Sequence, residues 1–584
     1  MKRCAMKRLL AALMFGAAML GAAAAQQPAA KKPAHKPAAT RSAASKTAAT
    51  KPAAAKPSAT SAAVSNQAIP ADDPLLTALR QELKRSQEKL QLAGQKKPYF
   101  IQYIVNDTDS FDYESSLGAP LGRSLNHTRL LTVFVRVGDY AQDNDAGYGL
   151  GELELLSTED DVLAMRHTLW LATDRAYKNA LQMLTAKQTT LKQFESTDDV
   201  PSFSRETPVQ YFEPRIALPA ETAAYERALD EATGLYRTDP LIQRMAGSLH
   251  LSVNNYYVVN SEGTAVRLAQ PGHAVSVGAD TQAPDGMKLR RNFGRQAISP
   301  ETLPSAAELK KKTEDLLQTL KALRSAPAVA DEYRGPVLFS NDAGGTLLNY
   351  LLAMNLVGTR PPLGKSGRVT GPYGESFHAR ILPDTVTVID DPTLATYAGQ
   401  PLVATTIYDD EGVKARPVTL VEKGVLQNYL VSRRPIRDFV TSNGHGRNLG
   451  AAVNASPSNI ILKSSKTEPA AALKQRLIAL CKERGLEYGY YVGTMAGAET
   501  PRLLYRVYVK DGREQLVRGA VLDELDNRAL RNDLIGVGND PYVTNDPANI
   551  PVSYVSPSLL FGEIVVKATP EAKDKLPQYG PPAL

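Results

Sequence analysis

The sequence contains almost no cysteine. Only Cys4 and Cys481 occur among 584 residues, and Cys4 lies in an N-terminal stretch that we expect to be removed. A chain left with one thiol has no internal disulfide, so a packed core must hold it together. Leu473, Leu477 and Leu480 form an apolar helical face with Cys481, which predicts core packing rather than catalysis for this thiol.

Acidic residues are absent from the first 70 positions. That segment carries eleven Lys and Arg residues, out of 68 basic and 61 acidic residues in the whole chain. The remaining 57 basic residues are therefore outnumbered by acidic ones, and the overall charge of +7 does not describe the folded part. A groove for polyphosphate needs Lys and Arg clustered within the fold, so no nucleic-acid partner is expected.

The chain also lacks a long hydrophobic run. Four basic residues in positions 1–8 precede an apolar stretch over residues 9–25 that ends in alanines. This order is typical of a secretory signal peptide over residues 1–25, and it predicts export to the periplasm or the extracellular space. The alternative is an uncleaved anchor, but the run is short and Ala-rich against the ~20 residues of a spanning helix. After cleavage we expect no integral membrane span.

Residues 26–72 consist mostly of Ala, Pro, Lys, Ser and Thr, without an aromatic residue. Such a composition cannot bury enough apolar surface to offset its ordering entropy. It predicts a disordered tether, and binding of its lysines to an anionic envelope surface is a second interpretation.

The rest of the chain predicts an α+β fold with two domains, because helices and strands alternate without a regular βαβ order. The first domain, residues 73–332, combines long helices at 162–192 and 306–324 with strands at 99–105, 131–137, 251–260 and 274–279. The second domain, residues 333–584, is predicted to be an antiparallel, β-rich, barrel-like domain. Its predicted elements are a helix at 347–357 and strands at 336–340, 386–389, 402–408, 418–421, 429–431, 505–509 and 551–555.

Closely spaced histidine pairs are missing. The seven histidines never lie within five positions of one another, whereas a helix-borne zinc site needs two imidazoles close in sequence. Glu375, His378 and His445 are weak alternatives for a metal or catalytic site. The acidic runs at 390–391 and 409–411 lack the ligand spacing of a calcium loop and predict turns.

One Gly-rich segment could contact a ligand. Glycines let backbone N–H groups approach closely, and arginine can hold a carboxylate. A Gly-rich turn without a ligand explains the segment almost as well. The candidate peptide-binding residues are Asn443, Gly444, His445, Gly446 and Arg447.

The second half resembles the TldD/PmbA family, also called TldD/TldE, of zinc-peptidase-related proteins. The matching segments occur in the family's order: Val386-Thr387-Val388-Ile389-Asp390-Asp391-Pro392-Thr393-Leu394, Tyr408-Asp409-Asp410-Glu411-Gly412-Val413, Leu420-Val421-Glu422-Lys423-Gly424-Val425-Leu426, Ser442-Asn443-Gly444-His445-Gly446-Arg447, and Val517-Arg518-Gly519-Ala520 followed by Gly536-Val537-Gly538-Asn539-Asp540. The first half is only loosely similar, through the turn at residues 260–263 and the order of strand and long helix.

The resemblance implies a zinc motif H-E-x-x-x-H on a helix and a ligand cysteine near the C-terminus. In this chain Asn349, Tyr350 and Met354 stand at the helix positions, and the segment at residues 545–550 has no cysteine. Asn and Met are poor substitutes for imidazole, and Tyr cannot take a proton from water as Glu does. The resemblance therefore implies a subunit of the metal-free PmbA/TldE type, with zinc expected only in a partner.

Three functions remain open at this stage. The first is an exported pseudo-peptidase subunit that binds peptides and forms a homodimer, or a heterodimer with a zinc-bearing TldD-like subunit. The second is an active peptidase with a non-standard site. The third is a non-catalytic envelope scaffold or binding protein that has kept the fold.

Overall fold

The computed structural model describes residues 67–145, 150–193, 200–365, 367–546, 550–570 and 573–582. The predicted signal peptide and most of the predicted tether lie outside these residues.

The first half is built on one sheet of seven strands with four helices. In chain order these elements are α1 Pro74–Lys89, β1 Pro98–Ser116, β2 Ala119–Val137, β3 Glu152–Leu156, α2 Val162–Gln193, β4 Gln210–Phe212, α3 Ala223–Gly234, β5 Arg244–Asn260, β6 Ala265–Gln282, β7 Lys288–Ala297 and α4 Ala306–Ser325. The sheet order is β3-β2-β1-β5-β6-β4, with β7 also paired to β6.

Side-chain alternation separates the two faces of this sheet. One face carries residues such as Tyr103 and Tyr257, which pack with α1 and α2. Further along the same face, Leu249 and Leu251 pack with α3 and α4. The opposite face is apolar only at one end, where Tyr256 meets residues of the second half. The long sheet therefore has helices on one side and a partly uncovered polar face on the other.

The second half contains three short helices and seventeen strands among the described residues. They are β8 Tyr333–Phe339, α5 Asn341–Leu347, β9 Val386–Asp390, β10 Thr396–Tyr397, β11 Gln400–Pro401, β12 Val418–Glu422, β13 Val425–Leu426, β14 Gly446–Leu449, β15 Ala452–Ala455, β16 Asn459–Ser464, α6 Ala470–Glu483, β17 Tyr488–Met495, β18 Pro501–Tyr508, β19 Glu514–Val517, β20 Ala520–Asp523, α7 Asn527–Asn532, β21 Leu534–Val537, β22 Tyr542–Asp546, β23 Val552–Ser556 and β24 Leu559–Ala568.

Two larger sheets organise these strands. One has the order β13-β12-β9-β16-β23-β22, and the other has the order β19-β18-β17-β8-β24-β20 with β21 also paired to β24. One large apolar core lies between the elements of both sheets and includes Phe339, Leu347 and Phe561. The predicted α+β fold with a β-rich second half is confirmed, although the pairs β16–β23 and β17–β8 are parallel rather than antiparallel.

Two predicted strands are wrong. Residues 402–408 and 429–431 contain no ladder strand, although Leu402, Tyr429 and Leu430 are fully buried. Their apolar character reflects burial alone. The amide of Leu430 donates to the Leu356 carbonyl, and the amide of Val431 donates to the Asn443 side chain, so side chains and loops replace a neighbouring strand.

The predicted helix at residues 347–357 is also wrong as a single element. Helix α5 ends at Leu347, a π-helical turn covers Leu348–Leu352, and a 3₁₀ turn covers Ala353–Asn355. A π turn closes its hydrogen bonds at i→i+5 and often marks functional sites. The three positions 349, 350 and 354 are therefore not carried by one regular helix.

Candidate functional site

Two of the degenerate zinc positions, Asn349 and Tyr350, lie on this π turn beside strand β22, and Met354 lies on the 3₁₀ turn that follows. The side-chain amide of Asn349 donates to the Asp546 carboxylate at 3.3 Å. Tyr350 and Met354 are 51% and 55% exposed. The resemblance places zinc ligands on the segment that forms this π turn and on the C-terminal segment, and the two segments are in contact. The groups that make the contact are the Asn349 amide and the Asp546 carboxylate.

The side chains at these positions do not fit zinc. Zinc takes thiolate, imidazole and carboxylate ligands, usually four in a tetrahedron. In the contact between Asn349 and Asp546, only the Asp546 carboxylate is one of these ligand types. Among all the described residues, no three His, Cys, Asp or Glu side chains are grouped so that they could hold a metal ion.

The weak alternatives do not come together either. Glu375 and His378 are exposed on a loop, where the His378 ring lies against Phe377. His445 is fully buried, and its Nε2 atom lies 3.6 Å from the Asp390 carboxylate. The three do not form a ligand group of the kind just described.

The Gly-rich segment forms a buried clasp with the acidic turn. The amide of Gly446 donates to Asp409 Oδ2 at 2.9 Å, and the amide of Asp410 donates to the Gly446 carbonyl at the same distance. The amides of Glu411 and Val413 donate to Asp409 Oδ1. The predicted turn at residues 409–411 is confirmed, and main-chain amides surround its first carboxylate.

The remaining residues of the segment are also engaged inside the chain. Asn443 donates to the Tyr429 carbonyl and accepts from the Val431 amide, both at 2.8 Å. Arg447 donates to the Ser458 hydroxyl at 2.8 Å. Asn443, His445 and Arg447 are buried. A peptide could reach residues 443–447 only if the surrounding loops opened, so contact of these residues with a peptide stays a prediction.

Burial changes the acidity of the turn. Burial, together with the nearby Glu411 carboxylate, raises the pKa of Asp409 to about 7. Burial also raises the pKa values of Asp410 and Glu411. The turn therefore holds three buried acidic groups that are harder to ionise than in water, and Asp409 exchanges its proton near neutral pH.

One arginine connects this clasp to the first half of the chain. The amide of Arg433 donates to Glu411 at 2.7 Å, and its guanidinium donates to both oxygens of Glu262 at 2.7 and 2.9 Å. The guanidinium also lies over the rings of Phe100 and Phe203. Sequence reasoning missed this pair, because 171 positions separate its members and neither residue belongs to a motif that predicts ion pairing.

Cys481 is placed as predicted. It is fully buried with Leu473 and Leu477, and its thiol lies 3.8 Å from the Tyr333 hydroxyl. Burial raises the pKa of this thiol, which favours the unreactive protonated form.

Among the described helices, none combines the length and the apolar character that a bilayer crossing needs.

Comparison with known proteins finds relatives of the second half of the chain. Residues 332–568 match the family described as the PmbA/TldA metallopeptidase C-terminal domain. A metalloprotease of Archaeoglobus fulgidus is 29% identical over 197 residues, which is 32% of this chain and 43% of that protein. An uncharacterised protein of Methanocaldococcus jannaschii is 34% identical over 154 residues, or 25% of this chain and 33% of that protein. The matches thus span less than half of each relative.

Solved structures share the fold over a longer range. TldE from Thermococcus kodakarensis superposes with a TM-score of 0.54 at 14% identity, covering 84% of this chain and 100% of that one. A protein described as a modulator of DNA gyrase, from Thermotoga maritima, gives 0.53 at 15% identity, covering 80% and 96%. The resemblance to the TldD/PmbA family is confirmed, and residues 332–568 of this chain form a C-terminal domain of that metallopeptidase-related family.

Proposed function

We propose that this protein is an exported, peptide-binding pseudo-peptidase subunit that pairs with a zinc-bearing partner. The observation that carries the proposal is the contact between Asn349 and Asp546. It joins the two segments at which the resemblance places zinc ligands, and the donors found there do not suit zinc.

Strand β22 supports the peptide-binding part of the proposal. Tyr542–Asp546 is the last strand of its sheet and pairs only with β23 among the described residues. An edge strand of this kind can bind an extended peptide through main-chain hydrogen bonds. Asp546 at its end contacts the π turn, so a peptide added to β22 would pass the exposed Tyr350 side chain.

Metal analysis of the purified chain tests the pseudo-peptidase assignment. We expect far less than one zinc per chain by mass spectrometry, and no cleavage of a mixed peptide library. As a positive control, N349H/Y350E/M354H should gain chelator-sensitive zinc, because it restores the H-E-x-x-x-H motif and puts an imidazole at the position that contacts Asp546. Stoichiometric zinc in the wild-type chain, with peptidase activity that a chelator abolishes, would overturn the proposal.

A binding assay tests the pairing. The chain and an exported homologue with an intact H-E-x-x-x-H motif should co-elute in size-exclusion chromatography and cleave peptides faster together than the homologue does alone. Separate elution with unchanged cleavage would favour the scaffold interpretation.

A further inference from the structure

Two adjoining cavities lie where the first sheet meets strand β18. Their volumes are about 710 and 470 Å³, within the range of ligand sites. Both are lined by Arg244, Asp280, Arg290 and Arg502. The four side chains therefore mark the junction of the cavities, where the polar face of the first sheet meets the second half.

Strand register explains why three of these residues lie side by side. Arg244 on β5 is directly opposite Asp280 on β6, which is opposite Arg290 on β7. Arg290 donates to both oxygens of Asp280 at 2.6 and 2.9 Å. The single carboxylate of the row is thereby paired, and the side chain of the exposed Arg244 has no hydrogen bond or ion pair within the described part of the chain.

Arg502 approaches the same point from the second half. Its guanidinium donates to the Asn292 side-chain oxygen, and it has no carboxylate partner among the described residues. It is half-buried, and burial together with the charge of Arg290 lowers its pKa. A bound anion would offset both effects, because a nearby opposite charge favours the charged form of the guanidinium.

The floor beside the arginines is made of small residues. Ala246, Gly278 and Ser276 line the smaller cavity, and they follow the Arg244–Asp280 row on the same face of β5 and β6. A main chain can lie close to such a floor. Arginine forks match carboxylates with two parallel hydrogen bonds.

We propose that this junction binds a carboxylate of an extended peptide, held between Arg244 and Arg502 with the peptide chain over the small-residue floor. The proposal rests on the peptide-binding function above and adds a second contact region, separate from β22 and the π turn. The carboxylate has two possible sources, namely the C-terminus of the peptide and an Asp or Glu side chain.

Fluorescence anisotropy with three labelled hexapeptides of Ala and Ser tests the proposal. One peptide has a free C-terminus, one is amidated, and one is amidated with a single internal Glu. Wild-type protein should bind at least one carboxylate-bearing peptide about tenfold more tightly than the uncharged amide, as expected for a charge-assisted hydrogen bond. The peptide that binds identifies the source of the carboxylate.

Variants localise the contact. R244Q/R502Q should weaken binding of the carboxylate peptide about 10- to 100-fold, and R502K should lose less because it keeps the charge without the fork. Gly278→Val should also weaken binding, because it fills the floor while its Cβ meets only ordinary contacts of 3.6 and 3.7 Å. R80Q, which removes an exposed arginine on α1, is the matched control and should bind like wild type. Thermal melts verify that each variant is folded.

Each remaining outcome is decisive. Equal binding of all three peptides, unchanged in R244Q/R502Q, would leave peptide binding intact and overturn the carboxylate site. Displacement by millimolar inorganic phosphate with no preference among the peptides would indicate a free-anion site and would also overturn it. Absence of binding for every peptide would overturn both this proposal and the peptide-binding function.

Discussion

Replacing Arg433 with Met tests whether one buried ion pair fastens the two halves of the chain. The Arg433 side chain is 1% exposed and that of Glu262 is 15% exposed, so solvent screens the pair little. The Tyr140 hydroxyl donates to the same carboxylate at 2.6 Å. Removing the guanidinium leaves Glu262 with that one neutral partner.

The expected cost can be worked from these contacts. Breaking a buried pair by removing one partner costs about 3–5 kcal/mol, and loss of the contacts with the two phenylalanine rings adds about 0.5–2 kcal/mol. Met recovers part of the packing of the arginine stem. Because Glu262 keeps some solvent contact, we expect R433M to lower the free energy of unfolding by about 3–4 kcal/mol.

A double-mutant cycle isolates the pair. R433M, E262M and R433M/E262M should show a coupling energy of about 2 kcal/mol in guanidinium unfolding followed by far-UV circular dichroism. The exposed pair of Arg334 and Glu563, with side chains 49% and 42% exposed at 3.1 Å, is the matched control and should couple by less than about 1 kcal/mol. Additive effects of R433M and E262M on the free energy of unfolding would refute the reasoning, because they would show that the two side chains are not energetically coupled.

Two further predictions concern the buried clasp. Asp409 has a folded pKa of about 7, above its ordinary value of 3.8, so between these pH values the folded state keeps a proton that the unfolded state has lost. The free energy of unfolding should therefore fall as pH rises from 4 to 7, by at most about 1.4 kcal/mol per pH unit. Urea midpoints of D409N should fall less steeply over this range. An equally steep fall in D409N would show that groups other than Asp409 cause the pH dependence. Gly444 has φ +78°, and an added Cβ would lie 2.5 Å from the Lys414 carbonyl oxygen, whereas Gly450 has φ +59° and open space. Gly444→Ala should cost more than about 3 kcal/mol and Gly450→Ala about 1 kcal/mol in the same assay, and equal costs would contradict the close approach.

The helices of the first half could be predicted because their signals are local. The predicted helices at 162–192 and 306–324 correspond to Val162–Gln193 and Ala306–Ser325. A local cap also begins helix α1, where Asp73 accepts from the amide of Leu76 at 2.9 Å. Capping and apolar spacing act within a few residues, so they are readable from the sequence.

The lengths of the strands could not be predicted, for a physical reason. Strand β1 runs over Pro98–Ser116, but only residues 99–105 were expected to be extended. Beyond that point the outer face of the strand carries polar residues such as Asn106, Thr108 and Ser110, because the second half does not cover that face there. Partner strands on both sides, rather than an apolar pattern, hold it extended.

The candidate site was only partly readable for the same reason. The positions 349, 350 and 354 were found by resemblance, but the π and 3₁₀ turns that carry them and the contact with Asp546 depend on tertiary packing. The junction of Arg244 and Arg502 joins strands that are 258 positions apart in sequence. No local pattern marks it, because an arginine without a partner looks in the sequence like any solvated charge.

The motifs shared with the family are buried, whereas Tyr350 and Met354 at the zinc positions are exposed. The two sets of residues therefore carry different information about function. The acidic turn and the Gly-rich segment are buried, and Asp409, Asn443 and Gly446 form hydrogen bonds that hold loops of the core together. A change there is costly for folding, so the presence of these motifs reflects the fold whether or not the protein is a peptidase. Tyr350 and Met354 are exposed, and substitutions at exposed positions usually alter stability by less than about 0.5 kcal/mol. Folding therefore places little constraint on these two positions. Metal analysis of the wild-type chain beside N349H/Y350E/M354H measures zinc binding directly, which the buried motifs do not report.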